Sequence, residues 1–157
     1  MLEERKLFDI SPTIEEGTAV FPGDISFKRN ISHSFDQNNH LTLSSLTTTL
    51  HIGAHTDAPI HYHKNGDSID QRSLHFYIGL CQVIGLNLKQ NERISPFHLK
   101  DIEIKAPRIL FKTNSFPDPN QWNDDFNSLS PELINTLANK NINLIGIDTP
   151  SIDPAND

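Results

Sequence analysis

His51, His55, Asp57 and His61 fall within the eleven residues "HIGAHTDAPIH", a density of imidazole and carboxylate that needs an explanation. A four-residue spacing would stack His51 and His55 on one face of a helix. The local sequence resists that helix, because threonines precede it, Gly53 interrupts it and Pro59 follows. In a fully extended strand the two side chains would lie about 13 Å apart, too far for one metal ion with ligand bonds near 2 Å. A strand ending near His51, with a fold-back at Gly53-Ala54, solves the geometry. His55 and Asp57 then project on one side, two residues apart. Ala58 precedes a proline and is pushed toward extended backbone, which stiffens the approach to His61. On this reading His51, His55 and Asp57 are metal ligands, and His61 is a nearby acid or base. Two nitrogens and a carboxylate suit Zn²⁺ best, with Mn²⁺ as the alternative. A histidine-rich surface turn fits the same spacing. His63 is read as a solvent-facing neighbour, and His33, His40, His75 and His98 as structural or surface residues.

The elements that must position these groups are mostly strands. "KLFDI" reads as an opening strand ending at Ser11-Pro12. "AVFPGDISF" carries Pro22-Gly23, the pair of a type II turn, between two strand-like pieces. "HLTLSSLTTTLHI" alternates leucine with β-branched threonine, a strand pattern. "LCQVIGLNL" and "RILFK" are mostly apolar runs, expected of strands covered on both faces; Cys81, in the first of these, reads as a buried structural thiol. Residues 114–128 form the longest loop. A helix follows, with Ser130 as N-cap, Pro131 in its first position, and Leu133, Ile134, Leu137 and Ala138 as its apolar stripe. Asn141 caps its C-terminus. "INLIGID" is a buried strand ending at Asp148; Asp148 and Asp153 either support the site or end that strand.

The 157 residues suit one domain with a proper core. Thirteen Lys and Arg against twenty Asp and Glu give a net charge of −7 with no basic cluster. A nucleic-acid or anionic-membrane surface is therefore not expected. No apolar run is long enough to span a bilayer. "MLEERKLFDI" has mixed charge and no apolar core, which predicts a cytoplasmic protein without a signal peptide. A single cysteine excludes an intrachain disulfide.

"HIGAHTDAPIH" resembles the His-x-Gly-Thr-His-x-Asp-x-Pro-x-His motif of the metal-dependent cyclase family, which includes bacterial kynurenine formamidases and isatin hydrolases. "DISPTIEEGTAVFPGD", "ILFKT" and "LSPELINTLANKNINLIGIDTPSIDP" match the formamidase branch in the same order. The resemblance implies an α/β class, a swivelling β/α/β fold with a mixed, strand-rich core, and a binuclear zinc site that hydrolyses an amide bond. It assigns His51, His55 and Asp57 to the metals, with Asp57 bridging. His61 takes the catalytic place. Phe21 takes a substrate-contacting aromatic position that is usually Trp; read alone, it is an ordinary apolar turn residue.

Two departures stand out. Ala54 replaces the motif's Thr, and the sequence ends soon after "DTPSIDP". Family members continue into a helix and strand that bring a further histidine and a glutamate to the metals. The expectation is a single domain, residues 1–157, lacking that segment, with an exposed sheet face that favours a homodimer or larger oligomer. The implied substrate is a small aryl formamide, N-formylkynurenine. The alternatives are an impaired or inactive binding protein, or a cyclic-amide hydrolase of the isatin type.

Overall fold

The computed structural model describes residues 6–156. The chain divides into two compact units, one running to Thr56 and the other beginning at Asp57.

In the first unit, β1 (Lys28–His33) pairs antiparallel with β2 (Leu43–Thr47), with Lys28 opposite Thr47 and a bulge between Ile31 and His33. β2 lies inside the threonine-leucine segment whose alternation predicted it. Both strands are solvent-exposed along their whole length, so alternation here reflects a two-stranded ribbon without a covered face. Among the described residues of this unit, Thr18, Thr49 and Ile52 are buried.

Two strand expectations fail here. Residues 6–10 form no strand, and Leu7, Phe8 and Ile10 are exposed. Apolar alternation alone does not make a strand; its backbone groups need a ladder partner, and the described residues offer none. The pieces flanking Pro22-Gly23 are not strands either up to Lys28, although the Ile25 carbonyl accepts from Thr49 N–H. The turn itself is present: Asp24 N–H donates to the Phe21 carbonyl at 2.9 Å, and Gly23 has φ +93°, as a type II turn requires at its third residue.

The second unit is built on a parallel sheet in the order β3-β5-β7. β3 (Gln82–Gly85) and β7 (Leu144–Ile147) flank β5 (Arg108–Lys112). Gln82 aligns with Ile109, and Arg108 with Leu144. Two short parallel strands, β4 (Arg93–Ile94) and β6 (Ser128–Leu129), form a separate pair. The one α-helix among the described residues, α1 (Pro131–Ala138), begins as its sequence predicts. Ser130 caps it by accepting from Leu133 N–H, and Leu133 and Leu137 are buried. The C-cap is Asn139, while Asn141 takes a left-handed φ of +56° and turns the chain toward β7. Ile84, Ile94, Ile109, Phe111, Leu129, Leu133 and Leu137 make the core.

The central strand β5 is covered as expected, but β3 is not. It has one neighbour, and Val83 is 64% exposed beside Ile84 at 4%. The same edge position leaves Cys81 exposed rather than buried. Residues 114–128 are an ordered loop up to β6, held by mutually edge-on Phe116, Trp122 and Phe126 rings and by Asn127 Nδ2 donating to the carbonyls of Lys89 and Glu92. The overall class is α/β, with several small sheets and few helices. Among the described residues, no helix is long and apolar enough to cross a membrane.

Candidate metal centre

The histidine segment is one continuous loop. Thr49 precedes it, and His51 N–H donates to the Thr49 hydroxyl oxygen at 3.1 Å. Thr49 also donates its own N–H to the Ile25 carbonyl. Its hydroxyl hydrogen-bonds Asp24, the main reason the Asp24 carboxyl sits below the usual carboxylate range; the Ile25 N–H and nearby His51 lower it further. The turn that carries Phe21 is thereby tied to the start of the loop. Asp24 and Thr49 were not singled out by spacing, although "FPGD" contains the first of them.

Gly53 makes the predicted fold-back, with φ +57°. A Cβ there would lie 2.8 Å from the Ile14 side chain, so the left-handed backbone and the close packing both require glycine. Residue 58 is extended as its proline neighbour dictates (φ −82°, ψ 155°), and Pro59–His61 form a single 3₁₀ turn. Gly66 closes the following bend, where a Cβ would overlap the Pro59–Ile60 backbone.

Ligand atoms of His51, Asp57 and His61 lie within 4.8 Å of one another. His51 and Asp57 are half-buried and His61 is exposed. His55 stands beside this group, its ring edge-on to His51 with centroids 5.2 Å apart. Its Nδ1 is 3.0 Å from the Gly53 carbonyl. A carbonyl only accepts, so Nδ1 donates here and Nε2 is the ring nitrogen turned away from this bond. Metal-binding histidines are commonly oriented by such a bond. Phe21 is 44% exposed on its turn.

The donor set fits a divalent cation. Two ligand atoms on one zinc stand at most about 4.2 Å apart, given bonds near 2.1 Å. A 4.8 Å group reaches that by small side-chain rotations, and imidazole plus carboxylate is a donor set common to divalent metals.

Tyr62, another residue outside the sequence motif, packs edge-on against His61 with centroids 4.7 Å apart. Burial, then the Asp153 and Asp57 carboxylates, push its phenol up to about 12. It is therefore neutral at ordinary pH and hydrogen-bonded to Asp153. Asp153 supports the surroundings of His61 through that phenol. Asp148 does something else: its carboxylate accepts from Thr113 N–H, the Thr113 hydroxyl and Asn114 N–H at 2.7–3.0 Å. It joins the ends of β5 and β7. His63 accepts from Asn65 N–H in the bend after the loop.

Comparison with known proteins follows the same line. Residues 8–154 match the cyclase family, described as "Putative cyclase". Kynurenine formamidase of Bordetella pertussis is 38% identical over 152 residues, covering 96% of this chain and 72% of that protein. The Bordetella avium protein of the same name is also 38% identical with the same coverage. A solved structure described as a "predicted metal-dependent hydrolase from Bacillus stearothermophilus" superposes with a TM-score of 0.77 at 25% identity, covering 96% of this chain and 72% of the other. A further solved structure superposes with the same TM-score at 23% identity and shares the fold. The match along nearly the whole chain, and the His-Asp loop at its centre, establish that this protein belongs to the cyclase family.

Proposed function

We propose that the protein is a metal-dependent hydrolase of aryl formamides that converts N-formylkynurenine to kynurenine and formate, a step of tryptophan catabolism. The carrying observation is the convergence of His51, Asp57 and His61 ligand atoms within 4.8 Å on one loop, in a chain whose relatives at 38% identity are named kynurenine formamidase. In this reading zinc, as one or two ions per chain, is held by His51 and Asp57 of that group and by His55, whose ring stands beside His51, which leaves the His61 imidazole for proton transfer. When bound, a divalent cation supplies Lewis acidity toward the formyl oxygen and the attacking water. His61 accepts a proton from that water and delivers one to the aryl nitrogen as the C–N bond breaks. The water oxygen ends in formate and the nitrogen borne by the aryl ring leaves as a neutral amine. The neighbouring Tyr62 ring fixes the plane of the His61 imidazole. Phe21 packs on the substrate ring, offering less area than the indole more usual at that position. The protein works in the cytoplasm as a homodimer.

The test is zinc content after dialysis, followed by turnover of N-formylkynurenine. Zinc near one or two per chain with turnover above the buffer rate is expected. His61→Ala should lower kcat by about 10²–10⁴-fold while zinc is retained. A zinc-loaded protein without turnover, or a His61→Ala variant with full rate, would end the proposal.

A further inference from the structure

Beside the histidine loop, one cavity in the second unit combines chemistry that the reaction so far leaves unused. It has a volume of about 290 Å³, near the lower end of the roughly 300–1,000 Å³ typical of small-molecule sites. Asp57, a proposed metal ligand, is on its wall. Most of the remaining wall is apolar, including Ile134, Ile142, Ile145 and Ile152. Among the lining residues Arg72 is the only cation.

Arg72 is held in place and only partly used. It follows the 3₁₀ turn Ile69–Gln71, which is fixed at both ends by a capping box between Ser68 and Gln71. Its guanidinium lies over the Phe76 ring, 4.2 Å from the centroid. One terminal nitrogen reaches Asp67 at 3.4 Å, a long contact to a side chain that is itself 57% exposed. The Nε atom is buried and meets no hydrogen-bond acceptor among the described residues. A buried N–H without an acceptor is costly. The second terminal nitrogen is the donor left for a ligand, and a guanidinium on an otherwise apolar wall favours a carboxylate through a charge-assisted hydrogen bond.

We infer that Arg72 is the residue that recognises the substrate's carboxylate, selecting amino-acid formamides over simple aryl formamides. This rests on the formamidase reading for the position of the reacting end. The formyl group sits toward Asp57, the aryl ketone runs along the isoleucine wall, and the α-carboxylate meets the free terminal nitrogen of Arg72. Phe76 supports the guanidinium from behind, so its plane is set before the ligand arrives. Arg72 touches the substrate far from the bond that breaks, so it governs affinity and specificity rather than proton transfer.

The experiment uses ligands that differ only in that carboxylate. Binding of kynurenine and of its decarboxylated amine, kynurenamine, is measured by calorimetry on the zinc-loaded protein and on Arg72→Gln. The wild type should prefer kynurenine by about tenfold or more, and the preference should collapse to about twofold in Arg72→Gln, with kynurenamine affinity retained as the check on folding. Asp67→Asn tests the same idea without touching Arg72. Freed of its competing partner, the guanidinium should bind kynurenine a few-fold more tightly and kynurenamine no differently. A wild type without preference, a preference that survives Arg72→Gln, or an Asp67→Asn effect equal for both ligands would each overturn the inference. Failure of the formamidase reading has another signature: N-formylkynurenine stays intact, while the kynurenine preference and its loss in Arg72→Gln remain.

Discussion

The Gly53 carbonyl and the Thr49 hydroxyl show how much a histidine motif depends on atoms that carry no chemistry of their own. The first accepts from His55 Nδ1 and the second from His51 N–H. Motif spacing singled out the imidazoles and Asp57 as candidates, because metal ligands are restricted to a few residue types. It did not identify Thr49, Asp24 or Tyr62, whose roles come from contacts rather than from ligand chemistry. Tyr62 gives a test at this scale. Folding holds its phenol proton up to about 12, whereas the unfolded chain releases it near the ordinary 10.0. The folded form therefore binds the proton more tightly. That contribution to stability is complete below about pH 10 and is lost as pH rises toward about 12. Denaturant unfolding across this window should show the decline, and Tyr62→Phe should flatten it; an identical decline in the variant would contradict the assignment.

Elements that carry their own local instructions were the ones legible in the sequence. Helix α1 has a capping serine, a proline in its first turn and an apolar stripe, and all three appear in place. β5 is legible because its middle, Ile109 to Phe111, is an unbroken apolar run covered on both faces. Residues 6–10 have the same apolar look without a partner strand, and nothing in five residues reveals whether a partner exists. Cys81 was misjudged for a related reason: an apolar run does not say whether its strand lies at the centre or the edge of a sheet. The packing of α1 on the core has a measurable weight. Leu133 is fully buried within the Ile94–Phe111–Leu137 cluster, so Leu133→Ala should cost about 2–5 kcal/mol in equilibrium unfolding. A loss below about 1 kcal/mol would mean that the helix packs less firmly than its burial implies.

At the scale of the whole molecule, the two units differ in how much they bury. The second owns the core, while the β1–β2 ribbon leaves Ile31, Leu43 and Leu46 between 51% and 61% exposed. Exposed apolar side chains on a paired ribbon favour association, and this supports the proposed homodimer. Sedimentation should find a dimer that becomes monomeric when Leu43 and Leu46 are both replaced by Arg. A wild type that sediments as a monomer would remove the homodimer from the reading.

The parallel pairing of β3, β5 and β7 also governs the time the chain needs to reach its native state. No strand of that sheet has its neighbour nearby in sequence: Gln82 waits for Ile109, and Arg108 for Leu144. Each pairing must close a long stretch of chain before any ladder bond rewards it. The helix can form in about a microsecond, but the sheet must assemble by rare encounters, in the millisecond-to-second range. A stopped-flow experiment should then see helical signal precede the burial of Phe111 and its neighbours. During that interval the edge of β3, with Val83 and Cys81 outward, is the part of the chain most open to pairing with a second copy.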